Sequence, residues 1–131
     1  MANKKILVVD DEPSVRTYLE TLLEDNGYDV VNAVDGVDGL TKALSEKPDL
    51  ITLDISMPKQ SGVRMYRELK NSPDTNSIPV IIVTAVTGYA NKPEYFKKFL
   101  STRKSVPPPD GFIAKPIDRD ELVKTVGDLL K

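Results

Sequence analysis

Asp49-Leu-Ile-Thr-Leu-Asp54-Ile-Ser-Met-Pro58 is the stretch whose reading decides the fold. Leu50 to Leu53 is a short, mostly apolar run that ends on a carboxylate, and Pro58 beyond it cannot continue a sheet. Such a run predicts a strand buried on both faces, with Asp54 at its C-terminal tip. In an open α/β sheet that edge is where ligands bind. An acid at a strand end is also ordinary turn chemistry, so the weight falls on what the neighbouring segments add.

Downstream, Ser61 is expected to cap a helix carrying Met65, Tyr66 and Leu69, which breaks up in the polar stretch Asn71 to Ser77. Pro79 to Thr84 is the most uniformly apolar run and predicts a central or near-central strand. Gly111 to Ala114 is a short fifth strand, followed by Lys115-Pro116. Asp118 with Glu121 makes a capping-box-like start to a last helix that turns Leu122, Val123, Val126, Leu129 and Leu130 inward. Upstream, Lys5 to Val9 is a buried-type strand closed by Asp10-Asp11-Glu12. Pro13 suits a first helical turn, Val15, Leu19, Leu22 and Leu23 follow at helical spacing, and Gly27 stops that helix. Tyr28 to Ala33 is a more polar strand, as expected near a sheet edge. Asp35 caps a helix whose apolar positions are Val37, Leu40 and Leu44, ended by Pro48. Strand and helix therefore alternate along the chain. That alternation predicts an α/β fold with a parallel sheet covered on both faces through right-handed crossovers.

Composition narrows the chemistry. At 131 residues the chain is long enough for one domain with a real core. The net charge of -2 favours neither nucleic acid nor a membrane surface as a partner. No apolar run approaches the roughly 18 residues of a membrane span, and no signal-peptide pattern opens the chain. There is no Cys and no His, which excludes disulfides, thiolate or imidazole metal sites and His–Asp relays. Any metal is then a hard cation held by oxygen. Any group transfer must use carboxylates, hydroxyls or amines.

The polar residues sit at the strand ends: Asp10 and Asp11 after the first, Asp54 after the third, Thr84 after the fourth and Lys115 after the fifth. A parallel sheet brings all these ends to one edge. Singly, each has an ordinary reading as a helix cap, a β-former or a solvated lysine. Together, close carboxylates require compensating positive charge, which a Mg2+ ion and the Lys115 ammonium would supply. A carboxylate nucleophile, oxygen ligands for a hard ion, a hydroxyl and a lysine suit phosphoryl transfer onto Asp.

On these residues the chain resembles the receiver domain of two-component response regulators over essentially its whole length, 1–131, as a single domain. The matching motifs are Val8-Val-Asp10-Asp11-Glu-Pro13, Asp54-Ile-Ser-Met-Pro58 with Ser61-Gly62, Val83-Thr84-Ala85 and Lys115-Pro116. The resemblance implies a doubly wound, flavodoxin-like sheet of order 2-1-3-4-5, an arrangement for which a member of this same family serves as a standard example. It implies Asp54 as phosphoacceptor, supplied by a sensor histidine kinase or a phosphotransfer protein. It implies Mg2+, with Mn2+ as a substitute, held by Asp10, Asp11, Asp54 and the backbone carbonyl of Ser56. Thr84 and Lys115 would bind phosphoryl oxygens, Thr84 and Phe112 would form the switch, and the Lys115–Pro116 peptide would be cis. Such a chain is a signalling switch rather than an enzyme. It would act from the cytoplasm without binding nucleic acid or a membrane, with a homodimer as a possible assembly.

One segment departs from the family pattern. Thr84 and Lys115 are further apart than the family's spacing, and the excess, Tyr89 to Asp110, surrounds an expected helix over 93–102 with Tyr95, Phe96, Phe99 and Leu100 on one side. The usual output face, formed by that helix, the fifth strand and the last helix, is therefore expected to be remodelled. Lys92, Lys97, Lys98, Arg103 and Lys104 stand there against Glu94 alone, either a solvated face or a docking patch for an acidic partner, rimmed by Pro107-Pro108-Pro109. Three rival readings remain. An aspartyl-phosphate phosphatase would carry a second acid where Ser56 stands. A flavodoxin-like electron carrier would have a Ser/Thr/Gly-rich phosphate loop in place of Asp10-Asp11-Glu12. A receiver-like scaffold independent of phosphorylation would keep the fold without the chemistry. The chain reads either as a stand-alone receiver or as a piece of a longer regulator.

Overall fold

The computed structural model describes residues 3–55, 61–85 and 109–130, with the backbone alone at 61, 84 and 85. The strands are β1 (Lys5–Val9), β2 (Asp29–Ala33), β3 (Leu50–Asp54), β4 (Val80–Ala85) and β5 (Gly111–Lys115). The described helices are α1 (Pro13–Asp25), α2 (Gly36–Glu46), α3 (Ser61–Asn71) and α4 (Arg119–Leu129). All neighbouring strands pair parallel, in the order β2-β1-β3-β4-β5. The apolar third strand lies at the centre and is buried throughout, while the polar β2 lies at an edge.

Helix boundaries follow from local chemistry. Pro13 sits in the first turn of α1, where its missing N–H is not needed. Gly27, at φ +91°, supplies the left-handed residue that ends it. Asp35 caps α2 by accepting a hydrogen bond from the Asp38 N–H at 2.8 Å, and Asp118 caps α4 by accepting from the Glu121 N–H at 3.0 Å. Ser61 is the first residue of α3. The polar stretch after α3 is an ordered turn. Buried Thr75 closes it by donating its hydroxyl to the Leu69 carbonyl at 2.7 Å.

Alternation along each strand divides the interior into two cores. Leu7, Val9, Ile51, Leu53, Val80 and Ile82 face Ala43, Met65, Tyr66 and Leu69 of α2 and α3. Ile6, Val8, Leu50, Ile81, Val83 and Ile113 face Leu19, Leu22, Leu23, Leu122 and Val126 of α1 and α4. Each such side chain contributes about 1.5–3 kcal/mol through burial. Burial alone says nothing about which strand ends meet; register does that.

Helix α2 differs from the expectation that Val37, Leu40 and Leu44 form its inner face. Val37 is 77% exposed and Leu44 is 45% exposed. The buried face is Gly36, Gly39 and Ala43, with Leu40 half-buried beside them. Small residues let the helix lie close on the sheet. A Cβ at Gly39 would come within 3.0 Å of Val9 Cγ2 and 2.7 Å of Met65 Sδ. An apolar-periodicity rule sees the large side chains and misses the close approach.

At the opposite edge of the sheet from Asp54, Asp110 joins the starts of β4 and β5. Its N–H donates to the Val80 carbonyl and its carboxylate accepts the Val80 N–H at 2.9 Å. Lys70, with only 6% of its side chain exposed, donates to the Ile78 carbonyl at 3.0 Å and lies 3.7 Å from the Asp110 carboxylate. The expected helix over 93–102, the cationic run Lys92 to Lys104, Pro107 and Pro108 lie outside the described residues. So does the Tyr89–Asp110 segment, apart from Pro109 and Asp110. No helix among the described residues is long and apolar enough to cross a membrane.

Gly62 sets the position of Asp54. A Cβ there would stand 2.3 Å from the Asp54 carbonyl oxygen and 2.8 Å from Ile55 Cα, both backbone atoms that cannot swing aside. Gly62→Ala is therefore expected to destabilise the fold by about 1–3 kcal/mol, the usual cost of overpacking. Thermal or urea unfolding measures this, and a variant as stable as the wild type would show that α3 moves off the strand end freely.

Candidate functional site

Two constraints bring Asp10, Asp54 and Lys115 together. The first is register. Val9 pairs with Leu53, so Asp10 and Asp54 follow at the same level, and Ala85 pairs with Lys115 further along the same edge. The second is parity. Asp10 is two residues beyond Val8, Asp54 four beyond Leu50 and Lys115 two beyond Ile113, so all three fall on the α1/α4 side of the sheet. The carboxylates cannot turn outward, and the lysine must reach back along the edge to meet them.

The distances bear this out. Lys115 Nζ lies 3.1 Å from Asp10 Oδ2, 3.4 Å from Asp54 Oδ2 and 3.5 Å from Glu12 Oε1. Asp10 is 1% exposed and Asp54 is 2% exposed. The other Asp10 oxygen accepts the Glu12 N–H at 2.9 Å, and the Asp10 carbonyl accepts from Arg16 Nη1 at 2.6 Å. Asp11 is exposed beside them. The Lys115–Pro116 peptide is cis.

Electrostatics in the cleft is a balance between burial and pairing. Burial pushes the Asp10 carboxyl above its ordinary value, and the Asp54 charge adds to this. The Glu12 N–H and the Lys115 ammonium oppose it without cancelling it. Burial alone would lower the Lys115 value, but the Asp54 and Asp10 charges outweigh it and hold the ammonium above its usual range. The lysine is therefore a fixed cation between two buried acids.

One oxygen from each of Asp10, Asp11, Glu12 and Asp54 can be chosen so that all lie within 4.8 Å of one another. These are hard, anionic ligands, with neither sulfur nor imidazole among them. The set fits Mg2+, Mn2+ or Ca2+ and does not fit a thiophilic metal. Glu12 is a member that sequence reasoning did not single out, although it adjoins Asp10-Asp11. Arg16, which is no ligand but ties down the Asp10 carbonyl, was also missed, since its six-residue separation from Asp10 carries no periodicity that would have flagged it. The Ser56 carbonyl and the Thr84 hydroxyl lie outside the described atoms. The Thr84 backbone pairs with Ala114 in the β4–β5 ladder. Phe112 pairs with Ile82 on β4 and is half-buried against the α2/α3 core, on the other side of the sheet from the acids. Near it, burial pushes the Tyr66 phenol well above its ordinary range, helped by the charge of Asp110.

Comparison with known proteins agrees with this architecture. The response regulator receiver domain family matches residues 6–127. The chain is 40% identical over 129 residues to the alkaline phosphatase synthesis transcriptional regulatory protein PhoP of Bacillus subtilis, covering 98% of this chain and 49% of PhoP. It thus spans about half the length of that relative. It is 36% identical over 126 residues to protein PilH of Pseudomonas aeruginosa, covering 96% of this chain and 97% of PilH. Among solved structures, the chemotaxis protein CheY4 of Vibrio cholerae superposes with a TM-score of 0.82 at 27% identity, over 98% of this chain and 100% of CheY4. With its 2-1-3-4-5 parallel sheet and the family match across nearly its whole length, the chain belongs to the response regulator receiver domains of two-component signal transduction.

Proposed function

We propose that the chain is a single receiver domain that takes a phosphoryl group onto Asp54 and signals through the change this produces. The observation that carries the reading is the Lys115 ammonium held between buried Asp10 and Asp54, beside an all-oxygen acidic cluster. A cation and a carboxylate nucleophile are then already placed where a transferred phosphoryl group would sit.

An Asp54 carboxylate oxygen attacks phosphorus, and the bond from phosphorus to the donor breaks. Its electron pair leaves with the donor, the imidazole of a sensor kinase or phosphotransfer protein, or the carboxylate of a small acyl phosphate. A carboxylate nucleophile needs no neighbouring base. Charge spreads over the phosphoryl oxygens. Lys115 pairs with one of them, and Thr84 donates its hydroxyl to another. Mg2+, held by Asp10, Asp11, Asp54 and the Ser56 carbonyl, supplies further neutralisation of that charge when bound. Attack of water on phosphorus later releases phosphate, restores the Asp54 carboxylate and ends the signal. The chain thus catalyses only its own phosphotransfer and dephosphorylation, and its place is the cytoplasm, where such kinases present their phosphohistidine.

Signalling follows from the two sides of the sheet. Thr84 drawn toward the phosphoryl group makes room for Phe112, which shifts a two-state equilibrium already present in the fold. The output face, to which β5 and α4 belong, reads out the change to a protein partner, and a homodimer is one form of that readout.

Two experiments test the reading. Incubation with acetyl phosphate and Mg2+ is expected to add the mass of one phosphoryl group, labile to hydroxylamine and absent in Asp54→Asn or with EDTA. Wild-type protein that gains no mass while still binding Mg2+ would instead be a scaffold.

The second concerns charge compensation. Lys115→Met removes the ammonium that lies between Asp10 and Asp54. Removing one partner of a fully buried pair costs on the order of 3–5 kcal/mol, and in this partly open cleft the expected loss is about 2 kcal/mol near pH 7 in EDTA. The pH sign follows from Asp10, whose folded value already lies above 3.8. Its contribution to stability is complete below the unfolded value and is lost as pH rises through the folded one. Without Lys115 the folded value rises further, so the variant's deficit should grow from about pH 4 upward. Urea unfolding across that range measures it, and a deficit independent of pH would mean that the lysine acts through packing alone.

A further inference from the structure

The Glu12 backbone holds the Asp10 carboxylate and opens α1, but its side chain has no evident task in the fold. Glu12 occupies the N-cap position of α1, yet its side chain makes no capping hydrogen bond. Its side chain is 59% exposed, and its Oε1 lies 3.5 Å from Lys115 Nζ. The same ammonium pairs with Asp10 and Asp54 at 3.1 and 3.4 Å. An ammonium has three N–H donors. The two buried carboxylates engage it from inside the cleft, which leaves Glu12 to engage it from the solvent side. A phosphoryl group on Asp54 would bring its oxygens to that same ammonium, and a charge-assisted bond to phosphoryl oxygen is stronger than an exposed carboxylate pair.

We propose that Glu12 is a positioning residue that holds Lys115 in the unphosphorylated site and competes with the phosphoryl group for its ammonium. This rests on the phosphoacceptor reading of Asp54 given above. The same carboxylate has the opposite effect on cations. Its oxygen lies within 4.8 Å of those of Asp10, Asp11 and Asp54, so its charge favours a divalent cation in the cleft while opposing a phosphoryl anion. Glu12 therefore raises the cleft's affinity for the cation and lowers its affinity for the phosphoryl group that joins it. Because an exposed ion pair adds little to stability, the contact is easily broken when the phosphoryl group arrives.

The test uses the whole chain with Glu12→Gln, which removes the charge, and Glu12→Asp, which keeps it on a stem shorter by one methylene. Two probes are applied: MgCl2 alone, and beryllofluoride as a phosphoryl mimic at saturating Mg2+. Glu12→Gln is expected to bind Mg2+ about 2- to 5-fold more weakly and beryllofluoride about 2- to 5-fold more tightly, the size an exposed charge pair supports. Glu12→Asp should fall between it and the wild type, and unfolding in EDTA should be unchanged in both. A purely structural residue would not move the two affinities in opposite directions. If the wild type binds beryllofluoride and Glu12→Gln binds it equally or more weakly, the competition is overturned while the phosphoacceptor reading stands. If the wild type does not bind beryllofluoride at all, both fall.

Discussion

The structure depends on one ammonium at the C-terminal edge of the sheet. Asp10 and Asp54 are both buried, on adjacent strands and at the same level, so in the absence of a cation their charges would repel across a poorly solvated gap. Lys115 resolves this from two strands away, through a side chain long enough to reach back along the edge. The strand termini, the first turn of α1 and the approach of α3 are all arranged around that contact. A buried ion pair is weak evidence for stability in itself. Here it fixes two buried carboxylates and one ammonium at a single place on the sheet edge.

Backbone geometry holds this arrangement in place. The Asp10 carbonyl is tied to Arg16 and its carboxylate to the Glu12 N–H, so the end of β1 cannot rotate without breaking both. Gly62 lets α3 sit directly on the backbone of Asp54, where any side chain would collide with the carbonyl. Gly36, Gly39 and Ala43 likewise let α2 lie close on the same face of the sheet as α3. Small residues at these contacts convert helix packing into precision at the strand ends, the function a rigid scaffold performs for residues carried at its edge.

The two cores put the acids and Phe112 on opposite sides of the sheet. Asp10, Asp54 and Lys115 share the α1/α4 side, whereas Phe112 packs on the α2/α3 side. The β4–β5 ladder joins Ile82 to Phe112 and Ala85 to Lys115, and so links the two sides. The opposite end of the same strand pair is fastened by Asp110 and Lys70.

Much of this was legible in the sequence. Apolar runs of strand length, capping residues such as Asp35 and Asp118, and acids or a lysine at successive strand ends are local signals, and local signals determine element type and order. Parallel pairing then followed from the alternation, and convergence of Asp10, Asp54 and Lys115 followed from parallel pairing. Three things were not legible. The inner face of α2 was misread because glycine at a close contact carries no hydrophobic signal, while Val37 and Leu44 carry one and lie outside. Thr75, read as part of a polar break, is buried and closes the turn after α3. Glu12 joined the site only through the direction in which the chain leaves β1. Sequence by itself determined which groups stand at the edge of the sheet. Tertiary structure alone decided which of them touch, because register, side-chain parity and helix-to-sheet distance are properties of strands and helices in contact.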